Sequence, residues 1–237
     1  MIYKYVPDSN FEDFSSGRVL YHKANFPNFP VRLAAEIFYR CVNHSSKKDN
    51  ICLYDPCCGS SYILSVLGFL CNDVVKTMYA SDISQEAVDL SVKNLSLLSS
   101  SGIASRKNEL QDLFSTYHKE SHKDALDSID RLTKKLKHEV KSHVFVEDIL
   151  RKDALHDETF TADVLITDVP YNNLVNWSSN NGNEINELLD AIIPVIDPNT
   201  IIAIVHNKKQ KLNNPRYKVL EKLSVGHRKI EIIQLHG

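Results

Sequence analysis

Residues 51–70 read ICLYDPCCGSSYILSVLGFL. The apolar run Ile51–Tyr54 is short, closes on the acidic Asp55, and gives way to the small-residue turn Pro56-Cys57-Cys58-Gly59-Ser60-Ser61. A second apolar run follows whose length and composition suit a helix, predicted over Ser61–Cys71. The unit is therefore strand, tight turn, helix. Small residues in such a turn let the backbone approach a ligand, and the helix start offers unpaired N–H groups. No Gly-Lys-Ser/Thr follows, so the turn is not a Walker phosphate loop, and a single glycine is too few for the dinucleotide fingerprint.

Working outward, four more short runs rich in β-branched or aromatic residues read as strands: Thr77–Asp82, His143–Asp148, Asp163–Asp168 and Ile201–His206. Helical patterns fall between them, at Gln85–Ser99, Arg106–Lys119, Ala125–Lys141 and Glu184–Ile196. Strand alternating with helix predicts right-handed crossovers and a mostly parallel sheet covered on both faces. Tyr217–Ser224 and Lys229–Leu235, with only Gly226 and its neighbours between, predict a closing antiparallel pair. Pro30–Cys41 carries a proline at a helix start, followed by apolar residues at helical spacing. The stretch from 85 to 141 is too long for one crossover, so part of it, about 100–141, reads as an inserted helical hairpin. Asn172–Asn183, with six asparagines, reads as a surface loop.

Length and composition fit one α/β domain over 1–237, with an N-terminal extension over 1–45. Hydrophobic residues at 43% and a net charge of −2 exclude a disordered chain. Five cysteines, two of them adjacent and none in a C-x-x-C pair, suggest neither a disulfide framework nor a zinc site, and ten scattered histidines suggest no metal. Free thiols suit a reducing compartment. No leader-like N-terminus and no apolar stretch of membrane-spanning length is present, so a cytoplasmic protein away from membranes is expected; a monomer is expected as well, though nothing in the sequence fixes the oligomeric state.

Four of the five strand readings end in a carboxylate: Asp55, Asp82, Asp148 and Asp168. One such residue alone is commonly a turn or cap, but ligands of open α/β sheets bind where the strands end, and four would converge there. Asp82, 27 residues after Asp55, suits two ribose hydroxyls, and Asp148 suits an adenine amino group. The fourth run ends in Asp168-Val169-Pro170-Tyr171. A base amine is a poor nucleophile, and a carboxylate plus the Val169 carbonyl can hold its N–H groups and aim the nitrogen. An aromatic ring at Tyr171 can stack on the base.

These residues resemble the class I S-adenosylmethionine-dependent methyltransferases. DPCCGSSY is similar to their first motif, and DVPY to the D/N-P-P-Y motif of amino-methylating members, Val169 standing where that family usually has proline. FPVRLAAEIFYRC, LYDPCCGSSYILSVLG, ASDISQEAV and ITDVPY, in this order, resemble the avilamycin-resistance rRNA methyltransferase family over almost the whole chain. That resemblance implies a Rossmann-like seven-stranded sheet with a helical addition, and methylation of a guanine base of 23S ribosomal RNA. It implies S-adenosylmethionine contacts at Asp55, Cys57, Gly59, Asp82, Ile83 and Asp148. Arg32 is read as a partner of the methionine carboxylate, of an RNA phosphate, or of solvent alone.

An RNA substrate needs positive surface. Lys208, Lys209, Lys211, Arg216, Arg228 and Lys229 crowd into His206–Lys229 against the single acid Glu221, and are expected to meet RNA. Arg131, Lys134, Lys135, Lys137 and Lys141 form a second cluster, more in keeping with a solvated helix face. Two alternatives stay open at this stage: methylation of DNA or a small-molecule amine, and a non-catalytic RNA-binding module.

Overall fold

A computed structural model describes residues 1–170 and 182–236. The β-branched runs pair into one sheet. In chain order its strands are β1 (Ile51–Asp55), β2 (Val75–Asp82), β3 (Lys141–Val146), β4 (Val164–Asp168), β5 (Ile201–Asn207), β6 (Tyr217–Val225) and β7 (Arg228–Leu235). Side by side they run β3-β2-β1-β4-β5-β7-β6. β1 to β5 are mutually parallel, and β7 enters antiparallel between β5 and β6. The expected fold is the one observed.

The β6–β7 hairpin turns at Gly226, whose φ of +58° is the left-handed conformation that a residue without Cβ adopts at no cost. Helices are α1 (Val31–His44), α2 (Tyr62–Leu70), α3 (Gln85–Ser96), α4 (Ser100–Tyr117), α5 (Glu120–Lys135) and α6 (Glu184–Ala191). α4 and α5 are the expected helical hairpin. They differ from the sequence reading in their limits, α4 starting at Ser100 because Ser99 caps it by accepting the Gly102 N–H at 3.1 Å. Of the Asn172–Asn183 loop reading, residues 172–181 lie outside the described residues, as does Tyr171.

Two apolar layers sandwich the sheet. On one face Leu33, Ile37 and Phe38 of α1 and Leu64 and Leu67 of α2 pack against Leu53, Val164, Ile166, Ala203 and Val205. On the other, Leu188 and Leu189 of α6 and Phe160 pack against Tyr54, Leu165, Ile202 and Ile204. β4 and β5 are buried on both faces, which explains their unbroken apolar composition.

One correction concerns β3. It spans Lys141–Val146, two residues earlier than expected, so Asp148 does not end the strand. The chain turns there instead: Asp148 Oδ1 accepts the Leu150 N–H at 3.0 Å, an Asx turn that competes with the ladder.

The N-terminal segment has a role that composition hides. Glu36 of α1, fully buried, accepts the backbone N–H groups of Lys4, Tyr5 and Val6 at 2.8, 2.9 and 3.1 Å. Arg40, one turn on, donates to Glu36 and to the Ile2 carbonyl. Tyr62 of α2 donates to the Phe14 carbonyl, and Arg106 of α4 to the Val19 carbonyl, at 2.7 and 2.9 Å. The segment is thereby strapped across α1, α2 and the helical hairpin. Arg131, from the second basic cluster, is part of that strap and grips Asp13 at 2.6 Å.

Candidate active site

Three carboxylates end neighbouring strands at one edge: Asp82 on β2, Asp55 on β1 and Asp168 on β4. Asp55 is buried and accepts the Cys57 N–H at 3.1 Å. Burial pushes its pKa up to about 7, and the like charges of Asp82 and Asp168 push the same way. Burial also raises Asp82, against the pull of the backbone N–H groups of Ser84 and Gly59, which it accepts at 3.0 and 2.9 Å.

The turn after β1 is thus tied to β2. Cys58 N–H reaches the Ser81 carbonyl at 2.9 Å while Gly59 N–H reaches Asp82. Gly59 takes φ +52°, and Ser61, which precedes α2, takes φ +54°. A side chain in that region costs a non-glycine residue about 1–2 kcal/mol, so the turn at Ser61 is held by its surroundings. Ser61 meets the Ser91 hydroxyl of α3, and Asn94, with no exposed surface, donates to the Ser60 carbonyl at 2.9 Å. Asn94 also exchanges hydrogen bonds with the Tyr21 backbone at 2.8 and 3.1 Å, joining the strap to the turn. Phe26 of the strap lies beside Gly59, 3.7 Å from where a Cβ would stand. Burial raises the Cys57 and Cys58 thiols, with Asp55 and Asp82 adding to it, so both stay protonated at neutral pH. That suits a lining role and excludes a thiolate nucleophile.

At Asp168 the chain leaves β4 held in place. Val169 N–H donates to the Val205 carbonyl at 3.0 Å, and the Pro170 carbonyl accepts from Gln210 at 2.9 Å. Asp168 Oδ1 is buried and has no hydrogen-bond partner among the described residues. Burial pushes this carboxyl up to about 7, against the opposing charge of Arg228. Arg228 begins β7, lies 5.2 Å over the Phe29 ring, and has a buried Nε without a partner among the described residues.

The other expected site residues are placed as follows. Ile83, 56% exposed, follows Asp82 into the edge. Asp148 stays at the edge despite leaving β3, because Glu147 N–H reaches the Asp82 carbonyl at 3.0 Å. Arg32, in the first turn of α1, faces the strap: it donates to the Val6 carbonyl at 3.1 Å, lies 3.3 Å from Asp8, and covers the Tyr3 ring at 4.1 Å.

The basic segment splits in two. Lys208 and Lys209 are exposed in the turn after β5, with the exposed Lys211 beyond it. Among the described residues the lysine and arginine ion pairs of this segment are made by Arg216, Lys222 and Lys229. Arg216 is tied to Asp190 at 3.2 Å. Lys229 and Lys222 lie 2.5 and 3.1 Å from Glu231 of β7, a fully buried carboxylate that His206 also approaches at 3.4 Å. Burial alone would raise Glu231, but these three partners outweigh it and hold it down at about 2. Lys229, expected among the RNA contacts, is engaged by this buried carboxylate of the sheet. Glu231 lies two residues past the basic segment, and the tie was visible only as an acid among apolar residues in a strand. Asn94 and the Glu36–Arg40 pair also escaped the sequence reading, because a polar residue on a helix reads as solvated.

Among the described residues no group of three or more His, Cys, Asp or Glu is arranged to hold a metal ion, and no helix is long and apolar enough to cross a membrane.

Comparison with known proteins gives this geometry a lineage. The 23S rRNA (guanine(2535)-N(1))-methyltransferase of Streptomyces viridochromogenes is 30% identical over 228 residues, covering 94% of this chain and 91% of that protein. The solved structure of the rRNA methyltransferase AviRa from the same organism superposes with a TM-score of 0.87 at 28% identity, over 99% of this chain and 96% of that one. TrmN from Thermus thermophilus shares the fold alone, at a TM-score of 0.52 and 12% identity over 90% of this chain and 51% of that one. The family described as rRNA methyltransferase AviRa matches residues 1–228, and the chain belongs to that family.

Proposed function

We propose that this protein transfers a methyl group from S-adenosylmethionine to N1 of a guanine in 23S ribosomal RNA. The observation that carries the reading is the buried Asp168 Oδ1 at the end of β4, without a partner among the described residues and set among two further carboxyl groups. A cationic ligand relieves the mutual repulsion of Asp55, Asp82 and Asp168, and a sulfonium nucleoside fits that requirement. The family relationship supports the same reading, since the Streptomyces relative carries the guanine-N1 activity in its name.

In this reading Asp82 receives the ribose hydroxyls. Each of its oxygens accepts one backbone N–H and keeps further lone-pair capacity for a hydroxyl. Ile83 and Asp148 would hold the adenine, and the turn Cys57–Gly59 would hold the methionine portion. Arg32 acts by fastening the strap. When bound, S-adenosylmethionine supplies an electrophilic methyl group. Asp168 accepts from the donors of guanine's pairing edge, N1–H and the N2 amine, which adenine's edge does not both offer. The Val169 carbonyl would hold the base beside Asp168, and stacking on the base is the role left to Tyr171, which lies outside the described residues. Lys208, Lys209 and Lys211 meet RNA phosphates beside it, with Arg216 at the margin.

The test is incubation of the protein with methyl-labelled cofactor and deproteinised 23S rRNA, then nuclease digestion and identification of the labelled nucleoside. Label in 1-methylguanosine at a single position is expected. Label in no nucleoside of 23S rRNA, or only in another base, contradicts the reading.

A further inference from the structure

Asp168 and Arg228 flank β5 on one face of the sheet. Val205 of β5 pairs with Asp168 on one side and with Ile230 of β7 on the other, and Arg228 lies two residues from Ile230 toward the strand ends. Val164 and Ile166, which alternate with Asp168, share one core cluster with Ile230 and Ile232, which alternate with Arg228. Period-two alternation therefore points both side chains the same way. They feel one another's charge, yet among the described residues no ion pair joins them. Each also keeps a buried polar atom without a partner among the described residues, Oδ1 of Asp168 and Nε of Arg228. A buried unpaired donor and acceptor each cost about 1–3 kcal/mol. An unpaired acceptor and an unpaired donor on the same face of the sheet suit something that presents a donor beside an acceptor.

We propose that Arg228 receives O6 of the target guanine while Asp168 takes the proton from N1. This rests on the guanine-N1 reading above and assigns a second catalytic residue to it. Guanine's edge sets the N1–H donor next to the O6 acceptor, matching the Asp168–Arg228 pair. Adenine also offers a donor beside an acceptor, N6 and N1, but guanine adds the N2 amine for the second Asp168 oxygen. Unlike adenine, guanine also gains charge on an oxygen when its ring nitrogen loses a proton.

In the step itself the N1–H bond breaks, the proton passes to Asp168 Oδ1, and the electron pair stays on the base, spread over N1 and O6. Arg228 balances the charge on O6. That pair then forms the new N1–CH3 bond as the bond from the methyl carbon to the sulfonium sulfur breaks, its electrons staying on sulfur. O6 becomes a neutral carbonyl again, and Asp168 returns its proton to water. A cation aimed at charge present only during the reaction lowers the barrier rather than tightening ground-state binding. A carboxyl that titrates near 7 is suited to accept a proton at neutral pH. The charged groups that face Asp168 are Asp55 on β1, with Asp82 behind it on β2, and Arg228 on β7; His206 and Glu231 lie on the opposite face of β5 and β7.

The decisive experiment compares wild type, Arg228→Ala and Arg228→Lys on 23S rRNA under single-turnover conditions from pH 6 to 9. Arg228→Ala is expected to slow methyl transfer by about 100-fold at saturating RNA. Its acid limb should move to higher pH, with RNA and cofactor affinities within about threefold of wild type, and Arg228→Lys should recover part of the rate. In the free protein, the 13C carboxyl titration of Asp168 should move upward in Arg228→Ala, a readout independent of turnover. Matching melting curves establish that the variants fold. An unchanged saturating rate with weaker RNA binding and a shallower salt dependence would make Arg228 a phosphate contact and overturn the proposal. So would an unchanged pH limb. If wild type methylates some other atom, the guanine-N1 reading fails first, and the Asp168 titration still reports whether the two side chains are coupled.

Discussion

The Asp82 carboxylate accepts the backbone N–H of Gly59 at 2.9 Å, so the residue that ends β2 also shapes the turn that leaves β1. One side chain thus fixes both the end of β2 and the turn after β1. Asp82→Ala should weaken S-adenosylmethionine binding by about 30-fold or more, the loss of charged hydrogen bonds worth about 2–4 kcal/mol. Isothermal calorimetry on the folded variant checks this, and wild-type affinity would remove Asp82 from the site.

Burial of the strand-end carboxyls also gives stability an unusual pH dependence. Asp55 moves from 3.8 to about 7 on folding, so between those values the folded chain binds protons that the unfolded chain has released. The stabilising contribution of this group is whole below about 4, falls as pH rises, and is gone above 7, a change on the order of 4 kcal/mol. Asp82 and Asp168 shift in the same direction. Glu231, held at about 2, and Glu36, also lowered, act the other way, their stabilisation being lost as pH falls below the ordinary carboxylate range. Urea unfolding at pH 5 and pH 8 should show the wild type less stable at pH 8, and Asp55→Asn should narrow the difference. Equal stabilities at both pH values in the wild type would refute it.

The lysines of the basic segment should separate into two kinds. Lys208→Glu with Lys209→Glu should flatten the dependence of RNA binding on salt, since each phosphate that a lysine no longer neutralises means about one counterion fewer released. Melting temperature and cofactor affinity should hold. Lys229→Ala should do the reverse, lowering stability by about 1–3 kcal/mol because Glu231 stays buried with one cation fewer. Salt-titrated RNA binding and thermal melts on both variants decide the matter.

Asn94 gives a fourth prediction. It ties Tyr21 of the strap to Ser60 of the turn after β1, through three hydrogen bonds at 2.8–3.1 Å. Asn94→Ala should cost about 2–4 kcal/mol, because backbone groups at both ends lose buried partners. Hydrogen exchange should speed up around Tyr21 and Ser60 together. Faster exchange at only one of the two would show that strap and turn are not coupled through this residue.

What the sequence revealed and what it hid follow from the range of the interactions. Asp55, Asp82 and Asp168 were legible because strand and turn are local, and a carboxylate ending an apolar run marks the sheet edge by itself. Asp148 was misplaced by two residues because an Asx turn and a last strand residue look alike in HVFVED. Glu36, Asn94 and Glu231 were hidden because their partners lie 30 to 73 residues away or across the sheet. Arg228 was seen as a charge and not as a neighbour of Asp168, since the two are brought together only by the insertion of β7 beside β5.

The most direct test of the catalytic account is single-turnover methylation of 23S rRNA by Asp168→Ala beside the wild type. The account predicts that the wild type forms 1-methylguanosine and that Asp168→Ala forms it about 100-fold more slowly or worse, with cofactor affinity nearly intact. A folded Asp168→Ala protein that transfers methyl at the wild-type rate would contradict it.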